Sequence, residues 1–297
     1  MSVTATGKIC GAHFHMDVEK SDLPKASAIQ KAFLHYLETE DIRPSHTDVF
    51  KLEKGSHILH RCQIRLGQIR LEKNPEENIL EKVGFAALWL ALNRNGLQAH
   101  VDPLTDDNNT IDPAEDHKRS LWMGASPVLD AESESVQELP FVNPREVLVN
   151  GFHVHVDFEP HERAMAFRVF KAFNQYLKAN SIVPTDAQIH NDENGPHILP
   201  GWEVTFETAN PDVVKTLGKA IGYLMLNRED LAVLIHPVTW KEGDAAAMIK
   251  AHSAYAMHIG EKKAPLNLSF FTNMQRKIRQ LPLRSCQSTY MQAERRK

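Results

Sequence analysis

The sequence predicts an α+β protein built from two tandem units, each with the order strand, helix, strand, strand, helix, strand. Three observations lead to this expectation. A histidine-rich motif occurs twice, and segments with the apolar period of a strand follow segments with that of a helix in each copy. Between the copies lies a stretch without a sustained period. We expect domains over residues 8–124 and 151–272, a proline-rich acidic linker over 125–150, and a basic tail over 273–297.

The duplication is visible in short motifs. Residues 11–17, GAHFHMD, return 140 residues later as GFHVHVD, and 55–59, GSHIL, return at the same spacing as GPHIL. Farther along, 92–94, LNR, and 101–105, VDPLT, return 134 residues later as LNR and IHPVT. Because histidines lie in both repeated motifs, the duplication concerns chemistry as well as architecture.

The second copy shows its six elements most clearly. Polar and apolar residues alternate where strands are expected, and apolar residues recur at helical spacing where helices are expected. The expected elements are a strand over 151–158, a helix containing Phe167, Phe170, Phe173 and Leu177, short strands over 187–190 and 202–206, a helix that begins at Asn210-Pro211, and a strand over 231–236.

This order is typical of the ferredoxin-like fold. We therefore expect a sheet of strand order 4-1-3-2 with helices on one face, the first and third strands parallel, and the fourth antiparallel beside the first. Alternation then predicts an open face with the polar set of the second copy: His153, His155, Asp157, Glu203, Thr205 and His236.

Four histidines of the second copy are expected to meet at one edge of this face, namely His153, His155, His197 and His236. Neutral imidazole binds Fe, Zn, Cu or Ni, so the residues alone select no metal. Glu203 is a candidate ligand or a partner that orients a ligating imidazole.

The first copy offers a candidate second site. Its open-face residues include His13, His15, His100 and Asp102, with His57 just before the third strand. Asp102 stands where the second copy has His236. Two interpretations remain open: a metal site with a carboxylate ligand, or a degenerate and mainly structural copy.

Composition limits the function classes. A net charge of −4 gives no indication of nucleic-acid binding, and we interpret the locally basic C-terminal end as a solvated tail. Three cysteines without C-x-x-C spacing indicate free thiols in a reducing compartment. Because the start of the chain lacks an apolar signal core and the longest apolar run, Val83–Leu92, is short, we expect a cytoplasmic protein without membrane contact.

The motifs at 151–156, 195–197, 226–228 and 233–239, with LNLSFF at 266–271, resemble the DOPA 4,5-dioxygenase family of ferredoxin-like extradiol dioxygenases. The first copy resembles it more weakly. That family has an Asp-His pair after the fourth strand, followed by Trp and Gly. The first copy keeps Asp116-His117, Trp122 and Gly124, whereas the second has Ala251-His252 and His258-Ile259-Gly260.

The resemblance implies Fe(II)-dependent extradiol opening of a catechol such as L-DOPA with O2. It implies His155, His197 and His236 as metal ligands and His153 as acid/base, with the roles of His153 and His155 interchangeable. It also implies a monomer acting as a pseudo-dimer, or a homodimer, and Zn is a candidate metal in the isolated protein. Two alternatives stand beside this: a non-catalytic metal-binding or interaction protein, and a Zn-dependent lyase or hydrolase.

Overall fold

The computed structural model describes residues 9–45, 47–51, 61–70, 79–105, 119–124, 141, 149–207, 213–238, 245–260 and 262–280. We call residues 9–124 the N-terminal half and residues 149–280 the C-terminal half. In the N-terminal half, the described elements are β1 (Ile9–Glu19), α1 (Leu23–Thr39), β2 (Pro44–Ser45), β3 (Asp48–Lys51), β4 (Arg61–Arg70), α2 (Ile79–Asn93), β5 (Gln98–Thr105) and β6 (Leu121–Met123).

The C-terminal half has a similar order, with one strand where the N-terminal half has two short ones, and with further described helices before its last strand and at its end. Its elements are β7 (Gly151–Asp157), α3 (Arg163–Ala179), β8 (Asp186–His190), β9 (Gly201–Glu207), α4 (Val213–Asn227), β10 (Ala232–Val238), α5 (Ala245–His252), β11 (Met257–Ile259) and α6 (Ser269–Gln280). Short 3-10 turns lead into α1 and α3.

The described strands form one antiparallel sheet of order β2-β4-β1-β5-β6-β11-β10-β7-β9-β8, and β3 also pairs with β4. The strand order expected for the second copy, 4-1-3-2, is therefore present as β10-β7-β9-β8. The expected parallel pairing of the first and third strands is wrong. Gly151 lies opposite Glu207, and Asp157 lies opposite Gly201. The helical crossover α3 makes β7 and β8 run the same way, and β9 reverses direction after β8.

Each strand divides its residues between two faces, as the alternation predicts. In β7 and just after it, Phe152, Val154, Val156 and Phe158 are at most 1% exposed and lie in the core. Phe173 of α3 and Ile221 of α4 belong to the same cluster. This cluster also contains the core residues of the N-terminal half, so one continuous apolar cluster lies under this face of the sheet in both halves. The opposite face carries the polar side chains of β7 and a small apolar cluster that includes Ala232 and Leu234 of β10.

Strand pairing and helix packing both join the halves. Strands β6 and β11 pair with Trp122 opposite His258, which makes the sheet continuous. On the other face, helices α2 and α4 cross where Gly84 meets Gly218, and a Cβ at Gly218 would lie 1.8 Å from the Leu80 carbonyl oxygen. Glycine is required here because any side chain would collide with the backbone of the other helix.

The ends of the predicted domains are only partly covered. Most of the expected linker lies outside the described residues. Helix α6 continues to Gln280, inside the segment expected as a basic tail, and residues 281–297 lie outside the described part. Among the described helices, none combines the length and the apolar character needed to cross a membrane.

Candidate metal centre

The register of β7 brings the predicted histidines together. His153 lies opposite His236 of β10 on one side and Thr205 of β9 on the other, while His155 lies opposite Glu203. The side chains of His155 and His236 then turn toward each other, with their Nε2 atoms 3.1 Å apart. Two nitrogens bound to one ion at 2.0–2.1 Å lie roughly 3.0–3.4 Å apart, so this spacing fits a shared metal.

His197 joins the group from the end of β7 opposite to the one expected. Because β7 and β9 are antiparallel, the segment before β9 meets the end of β7 rather than its start. His197 therefore lies beside Asp157, its Nδ1 3.0 Å from both carboxylate oxygens, and its ring stacks on His155 at 4.2 Å between centroids. An Nδ1–H donated to Asp157 leaves the Nε2 lone pair available for a metal. That Nε2 is buried and has no hydrogen-bond partner among the described residues.

His252, at the end of α5, is a member that the sequence analysis noted only as a departure from the family pattern. Its Nδ1 lies 2.9 Å from the Met248 carbonyl oxygen, one helical turn back, and its ring centroid lies 3.9 Å from that of His236. The available signal was His117, the corresponding histidine of the first copy. It was insufficient because the docking of α5 onto the sheet depends on contacts distant in sequence.

Glu203 faces the cluster from β9. Its Oε1 lies 3.2 Å from His153 Nδ1, and its Oε2 lies 3.8 Å from His190 Nε2. Burial alone would raise the pKa of this carboxyl, but the neighbouring imidazoles, His190 first, bring that pKa to about 2. Glu203 is therefore ionised and can orient His153.

The most deeply buried imidazoles are held neutral. Burial, followed by the charges of neighbouring histidines, lowers the pKa of His155 and of His236 well below the ordinary value. Burial and His197 likewise lower the pKa of His252 to about 3. Neutral imidazole is the form that binds a metal ion. Two groups of three fit one ion, His153 with His155 and His236, and His155 with His197 and His252, each with ligating atoms within 4.8 Å of one another.

The N-terminal half has a smaller cluster. Asp102 Oδ2 lies 3.5 Å from the Nε2 atoms of both His15 and His100. His13 lies next to His15, with ring centroids 5.7 Å apart, and His57 lies outside the described residues. Burial alone would raise the pKa of Asp102, but His100, Ser120 and His15 bring it to about 2.

The model of the Dopa 4,5-dioxygenase family matches residues 152–270, the stretch that carries the larger cluster. Residues 152–270 are similar to that family. The resemblance expected for the second copy is confirmed, and the match leaves the N-terminal half uncovered. The family assignment supports a dioxygenase, and the buried histidine groups are consistent with one that depends on a metal.

The chain is also similar to a solved structure from Nostoc punctiforme, a protein provisionally assigned as a dioxygenase. The two are 29% identical, and the match covers 42% of this chain and 94% of that chain with a TM-score of 0.31. That TM-score does not establish a common fold. No curated protein gave a significant match.

Proposed function

We propose that the C-terminal half is an Fe(II)-dependent extradiol dioxygenase that opens a catechol such as L-DOPA with O2. The observation that carries the proposal is the convergence of four buried imidazoles, His155, His197, His236 and His252, in the domain that matches the family. In two of them the Nδ1 is fixed by an oxygen acceptor, Asp157 for His197 and Met248 for His252. Each half is proposed to be a ferredoxin-like unit, which its strand order supports.

The metal is proposed to be bound by His155 together with two of the three neighbouring rings, those of His197, His236 and His252. His155 belongs to both groups of three that fit one ion. Three protein ligands leave positions for both hydroxyl oxygens of a catechol and for O2. When bound, Fe(II) supplies Lewis acidity toward the catechol and a redox centre for O2.

His153 is proposed as the acid/base. It is the most exposed ring beside His155 and His197, with a side chain 19% exposed against 8% and 6% for those two. Its Nε2 would accept a catechol hydroxyl proton. The resulting charge would be stabilised by Glu203, whose Oε1 lies 3.2 Å from Nδ1. The buried rings around it limit the access of water to the reacting groups.

The test is anaerobic loading of the protein with Fe(II), followed by O2 uptake and absorbance measurements across a panel of catechols that includes L-DOPA. We expect consumption of O2 with a yellow ring-opened product, and loss of both iron and activity in His155→Ala. His161→Ala, an exposed histidine of the same half, is the matched control. Single alanine variants of His197, His236 and His252 rank the remaining ligands by iron content.

Full iron loading without turnover on any catechol would contradict the proposal and favour a non-catalytic metal-binding protein. Hydrolytic or lyase activity with zinc would favour the third alternative. The expected cytoplasmic location remains a prediction from composition.

A further inference from the structure

We propose that the N-terminal half holds a second divalent transition-metal ion, bound by His15, His100 and Asp102. The three side chains come from two neighbouring strands, since His15 on β1 lies directly opposite His100 on β5 and Asp102 follows two residues later on the same face. His15 and His100 are 5% and 1% exposed, so the cluster is enclosed. This site is separate from the proposed dioxygenase centre and does not depend on it.

The distances are those of ligands around an ion. Asp102 Oδ2 lies 3.5 Å from His15 Nε2 and 3.5 Å from His100 Nε2. Both separations are longer than the roughly 2.7–3.2 Å of an ordinary N–H···O hydrogen bond. Nitrogen and oxygen ligands at about 2.0–2.2 Å from a tetrahedral ion are separated by roughly 3.4 Å, close to what is seen here.

The supporting contacts hold the ligands in place. Ser120 Oγ donates a hydrogen bond to Asp102 Oδ1, which turns Oδ2 toward the two imidazoles. His100 lies against Trp122 with ring centroids 4.7 Å apart, and His15 stacks on His100 at 4.9 Å. A carboxylate held by a hydroxyl and rings held by stacking form the kind of outer layer that orients metal ligands.

This ligand set differs from that of the other half. The strand position of His100, opposite the second histidine of the motif, is occupied in the C-terminal half by Leu234. Asp102 likewise replaces His236. The N-terminal cluster therefore has a two-histidine, one-carboxylate composition. This set suits Fe(II), Zn²⁺ or a similar divalent ion, and three ligands leave coordination positions open.

The experiment uses the full chain, stripped with a chelator and dialysed against Co²⁺ or Zn²⁺, with metal content measured by mass spectrometry and bound Co²⁺ by visible absorption. We expect two equivalents in the natural protein and one in His155→Ala/His197→Ala. Adding His100→Leu, which introduces the residue of the other half, should reduce binding to none. Adding Asp102→Asn instead should weaken it at least 10-fold while retaining the shape of the side chain.

Circular dichroism and thermal unfolding establish that each variant is folded. Should His100→Leu fail to fold, the isosteric Asp102→Asn decides the question. The proposal is overturned if His155→Ala/His197→Ala binds no metal, or if the remaining equivalent persists at unchanged affinity in Asp102→Asn. The single variant Asp102→Asn, made without the other substitutions, provides the supporting result. It should lose the N-terminal equivalent of metal and keep the C-terminal one.

Discussion

At the scale of single residues, the pairing of Asp157 with His197 is the clearest case of one side chain preparing another. Asp157 is 2% exposed and accepts from His197 Nδ1, which leaves Nε2 for a metal. We expect Asp157→Asn to lower metal affinity in the C-terminal half by about 10- to 100-fold, because the amide orients the ring less firmly. Competition titration with a chromophoric chelator measures this. Asp186→Asn, at an exposed carboxylate on β8, should leave the affinity unchanged.

His258 makes a second residue-scale prediction, this time about stability. It is 1% exposed, and burial, followed by Lys263 and Arg94, lowers its pKa to about 3. An unfolded histidine titrates near 6.5. As pH falls from about 6.5 toward 3, His258 binds a proton in the unfolded chain but stays neutral in the folded one. The free energy of unfolding therefore decreases by up to about 1.4 kcal/mol per pH unit from this group.

His258→Leu should reduce the slope of the unfolding free energy against pH by up to the contribution of one proton. Urea unfolding of the metal-free protein at pH 7, 6 and 5 provides the measurement, with His35→Leu on the exposed face of α1 as the matched control. An unchanged slope in His258→Leu would show that the buried ring takes up its proton as readily in the folded state.

The residue identities of the larger site could be predicted, but its internal contacts could not. Strand alternation and the expected strand order together predict His153, His155, His236 and Glu203 on one face, and the structure brings them together. His252 was not placed, because its position depends on how α5 packs onto β10. The contact of His197 with Asp157 was also missed, since it follows from strand direction, which local periodicity does not determine.

At the scale of elements, the crossing of α2 and α4 is the most constrained contact. A Cβ at Gly218 would lie 1.8 Å from a backbone oxygen of α2, whereas a Cβ at Gly222 would chiefly meet the flexible end of the Leu80 side chain, at 2.7 Å. We expect Gly218→Ala to destabilise the protein by about 1–3 kcal/mol or more, because the helices must separate. Gly222→Ala should cost less, since Leu80 can change rotamer. Thermal and denaturant unfolding of the pair compare the two.

Strand positions show what pattern reasoning captures at this scale. The alternation around His153 and His155 predicts β7, and the spacing of Phe167, Phe170 and Phe173 predicts α3, both of which are confirmed. The short strands β6 and β11 were not predicted. A segment of three residues is too short to show a period. Each of these segments pairs with the corresponding segment of the other half.

At the scale of the whole molecule, the joined sheet bears on oligomeric state. Strands β6 and β11 pair with each other within one chain. Arg94 of the N-terminal half also donates a hydrogen bond from Nη2 to the Ala254 carbonyl oxygen, at 2.6 Å. The outer strand β8 is short, and its first residues, Asp186, Ala187 and Gln188, are exposed. Short polar edge strands resist pairing with another chain. We therefore expect a monomer.

Light scattering after size-exclusion chromatography should give a mass near 33.6 kDa. A particle of twice that mass at micromolar concentration would contradict the expectation and favour a homodimer. Arg94→Lys shortens the reach across the two halves. It should lower the temperature of unfolding without changing the mass.

The pairing of Trp122 with His258 has one more consequence. These two residues occupy corresponding positions of the two halves, and they face each other at the centre of the joined sheet. In a dimer of identical subunits, a residue lying on the twofold axis must face its own copy, so every change there occurs twice. A single chain is free of that restriction. The indole that packs against His100 can therefore be altered without changing the buried imidazole opposite it, and the reverse also holds.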